Sequence, residues 1–467
     1  MDGGDGERAV ANDIKEVVKH TSRRKTAQST KQRDPAKIAP KATSLSESSS
    51  SPVPSPDKPD AVFSADETAL LMHFLDHVFP LQYPVYKPGI QVGGRGWLLS
   101  ALLQTKSFYH AALALSAYHR RTAASATLSQ PCQIATLVQQ EKLLETCIKS
   151  LHTFTQTSCP NSELGVMMAI IQLSFFELFT NYGSAWQAHL RAAMNMYKRS
   201  IKFNLAPVDL TSKSRAVLNE DLPLLECEAL VSNETAQFRF ISGTLIWLDI
   251  ISCITAATTP HLLVCHSTVM ASDSQTRLED IMGCKNWVML QIGRIAALHA
   301  NKLQALRQGH FNCEEFKRAI IDINIEIQSG LDASGSDSFA LCNPPTLITP
   351  VFASMASVYL HLITHGFQQL GMLDAVISRV MIMLQTEIPA HLLPALVAPL
   401  YVIGSVAREG DEQFFRDVFS SPPLLDTSLK QRTRVLPVLE EIWNKRRAEY
   451  GFLWEDSLEL IQDILLI

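Results

Sequence analysis

The stretch LGVMMAIIQLSFFELFTNYGSAWQAHLRAAMNMYK, residues 164–198, decides the fold. Its first half is apolar almost all round. Val166, Met167, Met168, Ile170, Ile171, Leu173, Phe175, Phe176 and Leu178 leave no wet face between Leu164 and Phe179, and a helix without a wet face has to be buried. Asn181, Tyr182 and Gly183 break it. Ser184 is then placed to cap a second helix by accepting a bond from an unpaired backbone N–H of its first turn. On that helix Trp186, Leu190, Ala193 and Tyr197 fall at i, i+4, i+7 and i+11, one stripe that packs against the first helix. The hairpin is core, and the rest of the chain is read around it.

Upstream, Ser64 and Glu67 form a capping-box pattern ahead of a stripe of Leu70, Leu71, Phe74, Leu75 and Val78 that is expected to end before Pro80. A turn rich in Pro and Gly runs from Pro80 to Gly96. Trp97 to His119 reads as one helical segment, in which Ala111, Ala112, Ala114, Ser116 and Ala117 allow a neighbour to approach closely. Ile134 to Leu151 places Leu137, Leu144, Ile148 and Leu151 on one side, with Gln139, Gln140, Glu141 and Lys142 leading into the wet face.

Downstream, Lys202 to Glu234 reads as a long connection, and Phe238 to Thr259 as a buried helix stopped by Pro260. Asp249 is the only formal charge between Arg239 and Asp273. An isolated carboxylate in that company needs hydrogen bonds or a shifted pKa, and a cap or helix-linking bond is the expected role. Further helical runs are Arg277 to Leu306, Glu314 to Gln328, Pro350 to Phe367, Leu370 to Leu384, the proline-broken Leu392 to Ala407, and Leu429 to Arg447, started or kinked by Pro437. Glu455 to Ile467 is a short apolar ending. Strand alternation and hairpin signals are missing. The expected class is all-α: a large domain of packed antiparallel helix pairs over 63–467, preceded by a tail over 1–62.

That tail is foreign in composition to the helical body. It is rich in Ser, Pro, Lys and Arg and poor in large apolar residues, so it buries too little surface to offset its ordering entropy and is expected to be disordered. Lys15 to Lys41 holds nine Lys and Arg against two acids. Arg23, Arg24 and Lys25 are its centre, a nuclear-localisation or nucleic-acid candidate set against the plain reading of a solvated tail. Ser44 to Pro59 is an extended spacer. The whole chain of 467 residues carries a formal charge of −5, which argues against a general polyanion binder. The nine cysteines lie too far apart for a local Cys-x-x-Cys motif and fit reduced thiols. Met1 to Val10 has no secretory pattern, and Leu392 to Ala407 is too short and too proline-broken to cross a bilayer, so no membrane partner is expected.

Motifs that carry reaction chemistry are missing. The sequence has no phosphate loop, zinc helix or nucleophile elbow. An all-α body invites comparison with terpene cyclases, which need clustered carboxylates to hold magnesium and diphosphate. Asp273, Glu279 and Asp280 fall near a helix start, where acids serve the helix dipole. Asp322 and Glu326 share a helix face, but no second acidic cluster accompanies them. No catalytic residue, metal ligand or cofactor is expected.

Several local patterns together resemble the regulatory domain found downstream of the six-cysteine binuclear zinc cluster in fungal-specific transcription factors. They are Leu113 to His119, Trp186 to Ala193 with His189, Trp247-Leu248-Asp249-Ile250, and Gly283 to Trp287 leading into Ile295 to Leu298. Later come Tyr359-Leu360-His361, Pro399 to Ala407, Val438 to Trp443 and Leu465-Leu466-Ile467. Their order over roughly 65–467 carries the resemblance, with Trp186, His189, Trp247, Asp249, Trp287 and Trp443 as family-motif structural residues.

The resemblance implies a nuclear regulator of transcription, often of a metabolic or secondary-metabolite pathway. Family members that bind DNA hold two zinc ions with six closely spaced cysteines near the N-terminus, whereas the first cysteine here is Cys132. Either the protein is a co-regulator working through a partner, or the gene model begins downstream of the cluster. The partners implied are other transcription regulators or a homo- or heterodimer partner, DNA only indirectly or weakly through the basic tail, and a small-molecule effector. The alternatives are an α-helical enzyme such as a terpene-cyclase-like lyase, or a ligand-sensing helical scaffold.

Overall fold

In the computed structural model, residues 12–17, 19, 65–89, 94–124, 129–154, 163–181, 185–204, 232–271, 274–335 and 343–467 are described, and every regular element among them is helical. Helix α1 (Ala65–His73) runs into a π turn (Phe74–Val78) and a last helical turn (Phe79–Gln82). It is followed by α2 (Gly96–Gln104), α3 (Lys106–Ala123), α4 (Gln130–Phe154), α5 (Glu163–Thr180), α6 (Ala185–Asn204) and α7 (Asn233–Ala256). The second half holds α8 (Leu263–Val269), α9 (Leu278–Met282), α10 (Asn286–Gln308), α11 (Cys313–Gly335), α12 (Pro344–His365) and α13 (Asp374–Thr386). Then come α14 (Val397–Ser405), α15 (Glu412–Phe419), α16 (Val435–Ala448) and α17 (Trp454–Ile461).

The hairpin of α5 and α6 lies at the centre. Every residue of α5 from Gly165 to Thr180 is buried, and so is the α6 stripe of Trp186, Leu190, Ala193 and Tyr197. Helices α3, α6 and α7 pack against α5. The small residues of α3 are buried as their size requires, and Ser116 Oγ donates to the Leu70 carbonyl at 2.7 Å, joining α3 to α1. Among the described residues, three helices, α5, α7 and α12, are long and apolar enough to cross a membrane by length and composition, and 78–89% of their most apolar windows is buried inside the fold.

Several expectations need correction. Trp97 to His119 is two helices, because Thr105 adopts an extended conformation and its side chain lies on Gly165, where a Cβ would fall 1.9 Å from Thr105 Oγ1. Pro80 does not end the first helix. The π turn ahead of it shifts the bonding register so that Phe79 N–H pairs with the Phe74 carbonyl, and Pro80 then occupies the first turn of Phe79–Gln82, where its missing N–H is harmless. Gln140 is buried, receiving Arg121 at 3.3 Å, while Ile134 on the same helix is exposed. The inner face of α4 is therefore Gln140, Leu143, Leu144, Cys147 and Leu151.

Helix α7 starts at Asn233 under a Ser232 cap and ends at a left-handed Ala257, ahead of Pro260. Pro344 and Pro345 start α12, with Pro350 inside it. Arg277 to Leu306 is a pair, α9 and α10, divided at Gly283, whose φ of +86° suits glycine. Helices α8 and α15 have no counterpart among the helical runs expected from sequence. The Ser64 and Ser184 caps, most of the Lys202 to Glu234 connection and the basic triplet Arg23, Arg24 and Lys25 lie outside the described residues.

The tail holds the largest surprise. Residues 12–17 are helical and docked on the body, with Ile14 and Val17 fully buried. Asp13 Oδ2 pairs with Arg199 at 2.9 Å, and its Oδ1 accepts from Asn195 Nδ2 at 3.2 Å, both on α6. Average composition hides this segment. Two aliphatic residues at i, i+3 and one acid are enough to seat a short helix on a prepared surface.

Candidate ligand groove and the family-motif residues

The motif residues serve four separate packing points. Trp186 is buried and donates through Nε1 to the Asp463 carbonyl at 3.1 Å, tying α6 to the chain beyond α17. Trp247 lies edge-on to Tyr83, ring centroids 6.2 Å apart. Trp287 rests on Gly330 of α11, where a Cβ would fall within 2.6 Å of three ring atoms. Trp443 donates to the Gly404 carbonyl at 2.8 Å, with the Arg416 guanidinium 4.9 Å above its ring. His189 is fully buried in α6.

Asp249 links helices. Its Oδ1 accepts from the His261 amide at 2.9 Å and its Oδ2 from the Leu262 amide at 2.7 Å, at the entrance to α8. His261 Nε2 meets Asn195 Oδ1 at 2.7 Å. Since Asn195 Nδ2 already donates to Asp13, its oxygen accepts here and His261 is the donor. A continuous chain of bonds thus runs from α7 through the α7–α8 loop and α6 to the docked N-terminal helix. Burial raises the Asp249 carboxyl to about 6 against the pull of those two amides and Lys198. His266 lies 3.9 Å from Asp249 Oδ2, and burial lowers it to about 4.

A groove of about 780 Å³ lies between the Val85–Gly89 segment, the start of α7, α9 and the start of α12. Its apolar wall is Tyr86, Phe240 and Ile281. Phe240 is the hub of an aromatic cluster, with ring centroids 4.8 Å from Tyr83, 4.8 Å from Tyr86, 4.9 Å from Trp97 and 5.8 Å from Phe79. Trp97 Nε1 donates to Tyr86 Oη at 2.9 Å and holds that ring in place. Lys87, Arg239, Arg277 and Lys285 line the groove against Glu279 and Asp280. Arg277 Nε donates to Glu279 Oε1 at 2.9 Å, and Arg239 reaches Gln275 through its terminal nitrogen. The inner atoms, Arg239 Nε and Glu279 Oε2, are buried without a partner.

Of the groove residues, the sequence points only to Glu279 and Asp280, as acids at a helix start. They do lie in the first turn of α9. Asp322 and Glu326 are both exposed on α11, and Asp273 lies outside the described residues. Among the described residues, no group of three or more His, Cys, Asp and Glu side chains is placed to hold a metal.

The chain matches the fungal specific transcription factor domain over residues 69–467. It belongs to that family. Family membership identifies the helical body as that of a transcription regulator and sets aside the enzyme alternative. The chain is 40% identical to pestheic acid cluster transcriptional regulator 3 of Pestalotiopsis fici, over 100% of its own length and 91% of that protein's. It is 27% identical to the trichothecene biosynthesis transcription regulator TRI10 of Trichoderma arundinaceum, over 81% of the chain and 92% of the relative. With the ustiloxin B cluster transcription factor ustR of Aspergillus flavus it shares 24% identity, over 81% of the chain and 67% of the relative. No solved structure matches this family member.

Proposed function

We propose that the protein acts in the nucleus to regulate transcription of a secondary-metabolite gene cluster, through contacts made by its helical body. The supporting observation is the 40% identity along the whole chain to a cluster regulator, joined to a body whose buried motif residues serve packing. Other transcription regulators, or a second copy of the chain, are the protein partners that belong to this reading. DNA is reached through them or weakly through the basic tail, and a small-molecule effector tunes the body. No membrane partner belongs to it.

Deletion of the gene tests the reading: transcripts of neighbouring biosynthetic genes are expected to change several-fold, and unchanged transcripts would refute it. A fluorescently tagged chain is expected in nuclei. Replacing Arg23, Arg24 and Lys25 together by alanine is expected to shift the tagged chain toward the cytoplasm, and unchanged nuclear signal would remove the triplet from import.

A further inference from the structure

We propose that the patch of α6 covered by residues 12–17 is a docking surface for a partner regulator's short helix, one that carries an acid followed by aliphatic side chains one and four residues later, and that residues 12–17 keep it closed. The proposal names the partner surface of the regulatory reading and rests on that reading for its purpose, whereas peptide binding itself does not depend on it.

The body prepares this patch for an acid. Arg199 donates through Nη2 to Asp13 Oδ2 at 2.9 Å, and Asn195 through Nδ2 to Asp13 Oδ1 at 3.2 Å, so one carboxylate is held by both oxygens. Asn195 turns its amide nitrogen to the acid because its oxygen is taken by His261 at 2.7 Å. His261 is fixed in turn through its backbone amide on Asp249. These orienting groups all lie on the body, not on the helix they receive. Helix α6 carries four Lys and Arg and no acid, and the charges that act on the His261 ring are Lys198, Arg191 and Asp13. Without Asp13 the patch is cationic. Ile14 and Val17 fill its apolar part, both fully buried in one core with Tyr197 and Ile201 of α6.

The resident helix is held loosely. Residues 12–17 are too few to stay helical in water alone, so their ordering and their docking occur together. Lys19 and Ala65 are separated by 45 residues, a connection that returns the helix to the patch at an effective concentration on the order of a millimolar. A partner helix with the same acid and aliphatics, extended by further contacts, displaces it.

The test uses the full chain, with a fluorescently labelled synthetic peptide of residues 9–20 as the probe and anisotropy as the readout. Ile14→Asp combined with Val17→Asp opens the patch without altering it, and Asp13→Lys in the chain is a second, milder way to open it. The peptide is expected to bind the opened chains with a dissociation constant on the order of 100 μM, and the parent about tenfold more weakly because its patch is filled. Peptides carrying Asp13→Ala or Ile14→Asp should each bind an opened chain about tenfold more weakly than the parent peptide. Arg199→Glu added to an opened chain should abolish binding of the parent peptide and recover part of it with a peptide carrying Asp13→Lys. Thermal unfolding checks that each variant folds. A folded, opened chain that leaves the peptide free at about 2 mM, above the effective concentration in the intact chain, overturns the proposal. So does equal binding to parent and opened chains, which places the peptide elsewhere. Self-association of the opened chain in light scattering, in place of peptide binding, would make the patch a contact between copies and overturn the partner assignment. Unchanged transcripts in the deletion strain count against the regulatory reading alone, so the two failures are told apart.

Discussion

Asp249 and His266 show how a single buried pair shapes the acid response. An unfolded aspartate titrates near 3.8 and Asp249 in the fold near 6. Between those values the folded chain keeps a proton that the unfolded chain has released, so this group's contribution to stability falls as pH rises. His266 works in the opposite sense. It titrates at 6.5 unfolded and at about 4 folded, so acidification through that window protonates the unfolded chain first and lowers stability. His73, His119, His261 and His361 are likewise lowered by burial and act in the same direction as His266.

Asp249→Asn removes one of the two aspartates that burial raises, Asp280 being the other. Urea unfolding from pH 4 to pH 6 is expected to show the variant gaining stability with pH more steeply than the parent, by about 2 kcal/mol over the window. Equal slopes would disprove the raised carboxyl. That Asp249 needs partners was legible from its apolar neighbours. That they are the amides twelve and thirteen residues later was not, because the turn at Ala257 that folds the chain back depends on a left-handed alanine, which sequence alone gives no reason to expect.

At the scale of elements, helix type was readable wherever apolar periodicity ran long, and boundaries were decided by contacts between distant residues. The break at Thr105 is set by Gly165, sixty residues away, because only a residue without a side chain lets Thr105 lie on α5. Gly165→Ala is expected to lower stability by about 3 kcal/mol, at the upper end for overpacking, because the added methyl meets both Oγ1 and Cβ of Thr105. Chemical denaturation measures it, and a loss below about 0.5 kcal/mol, the size typical of a neutral surface change, would contradict the contact. Helix α15 is hidden in the sequence for a related reason. It buries only Glu412, Phe415 and Phe419, and Glu412 is buried because Arg416 and Arg447 both pair with it. Read along the chain, that glutamate looks like a surface residue.

For the molecule as a whole, the last few residues act as a clasp. Ile464, Leu465 and Leu466 are buried. Gln431 donates to the Asp463 carbonyl at 2.8 Å, Thr255 to the Ile464 carbonyl at 3.2 Å, and Arg432 to the Ile467 carbonyl at 3.0 and 3.2 Å. These bonds close α7, the segment before α16 and the core hairpin onto one length of backbone. Removal of residues 463–467 is expected to abolish cooperative thermal unfolding, and a sharp, parent-like transition in calorimetry would show that the clasp is dispensable. The motif order and the all-helical class were legible at this scale, since both are written in local runs of residues. The groove was not, because its walls come from positions near 86, 239, 279 and 344 that only the folded chain assembles.

The seated helix at residues 12–17 also sets a leash. Arg23 follows Lys19 by four residues, a reach of at most about 14 Å. Any carrier that grips the basic triplet must come close to the flank of α6 that bears Asn195 and Arg199, or first lift Ile14 and Val17 out of their seat. If import runs through that triplet, import and the state of that flank are mechanically joined.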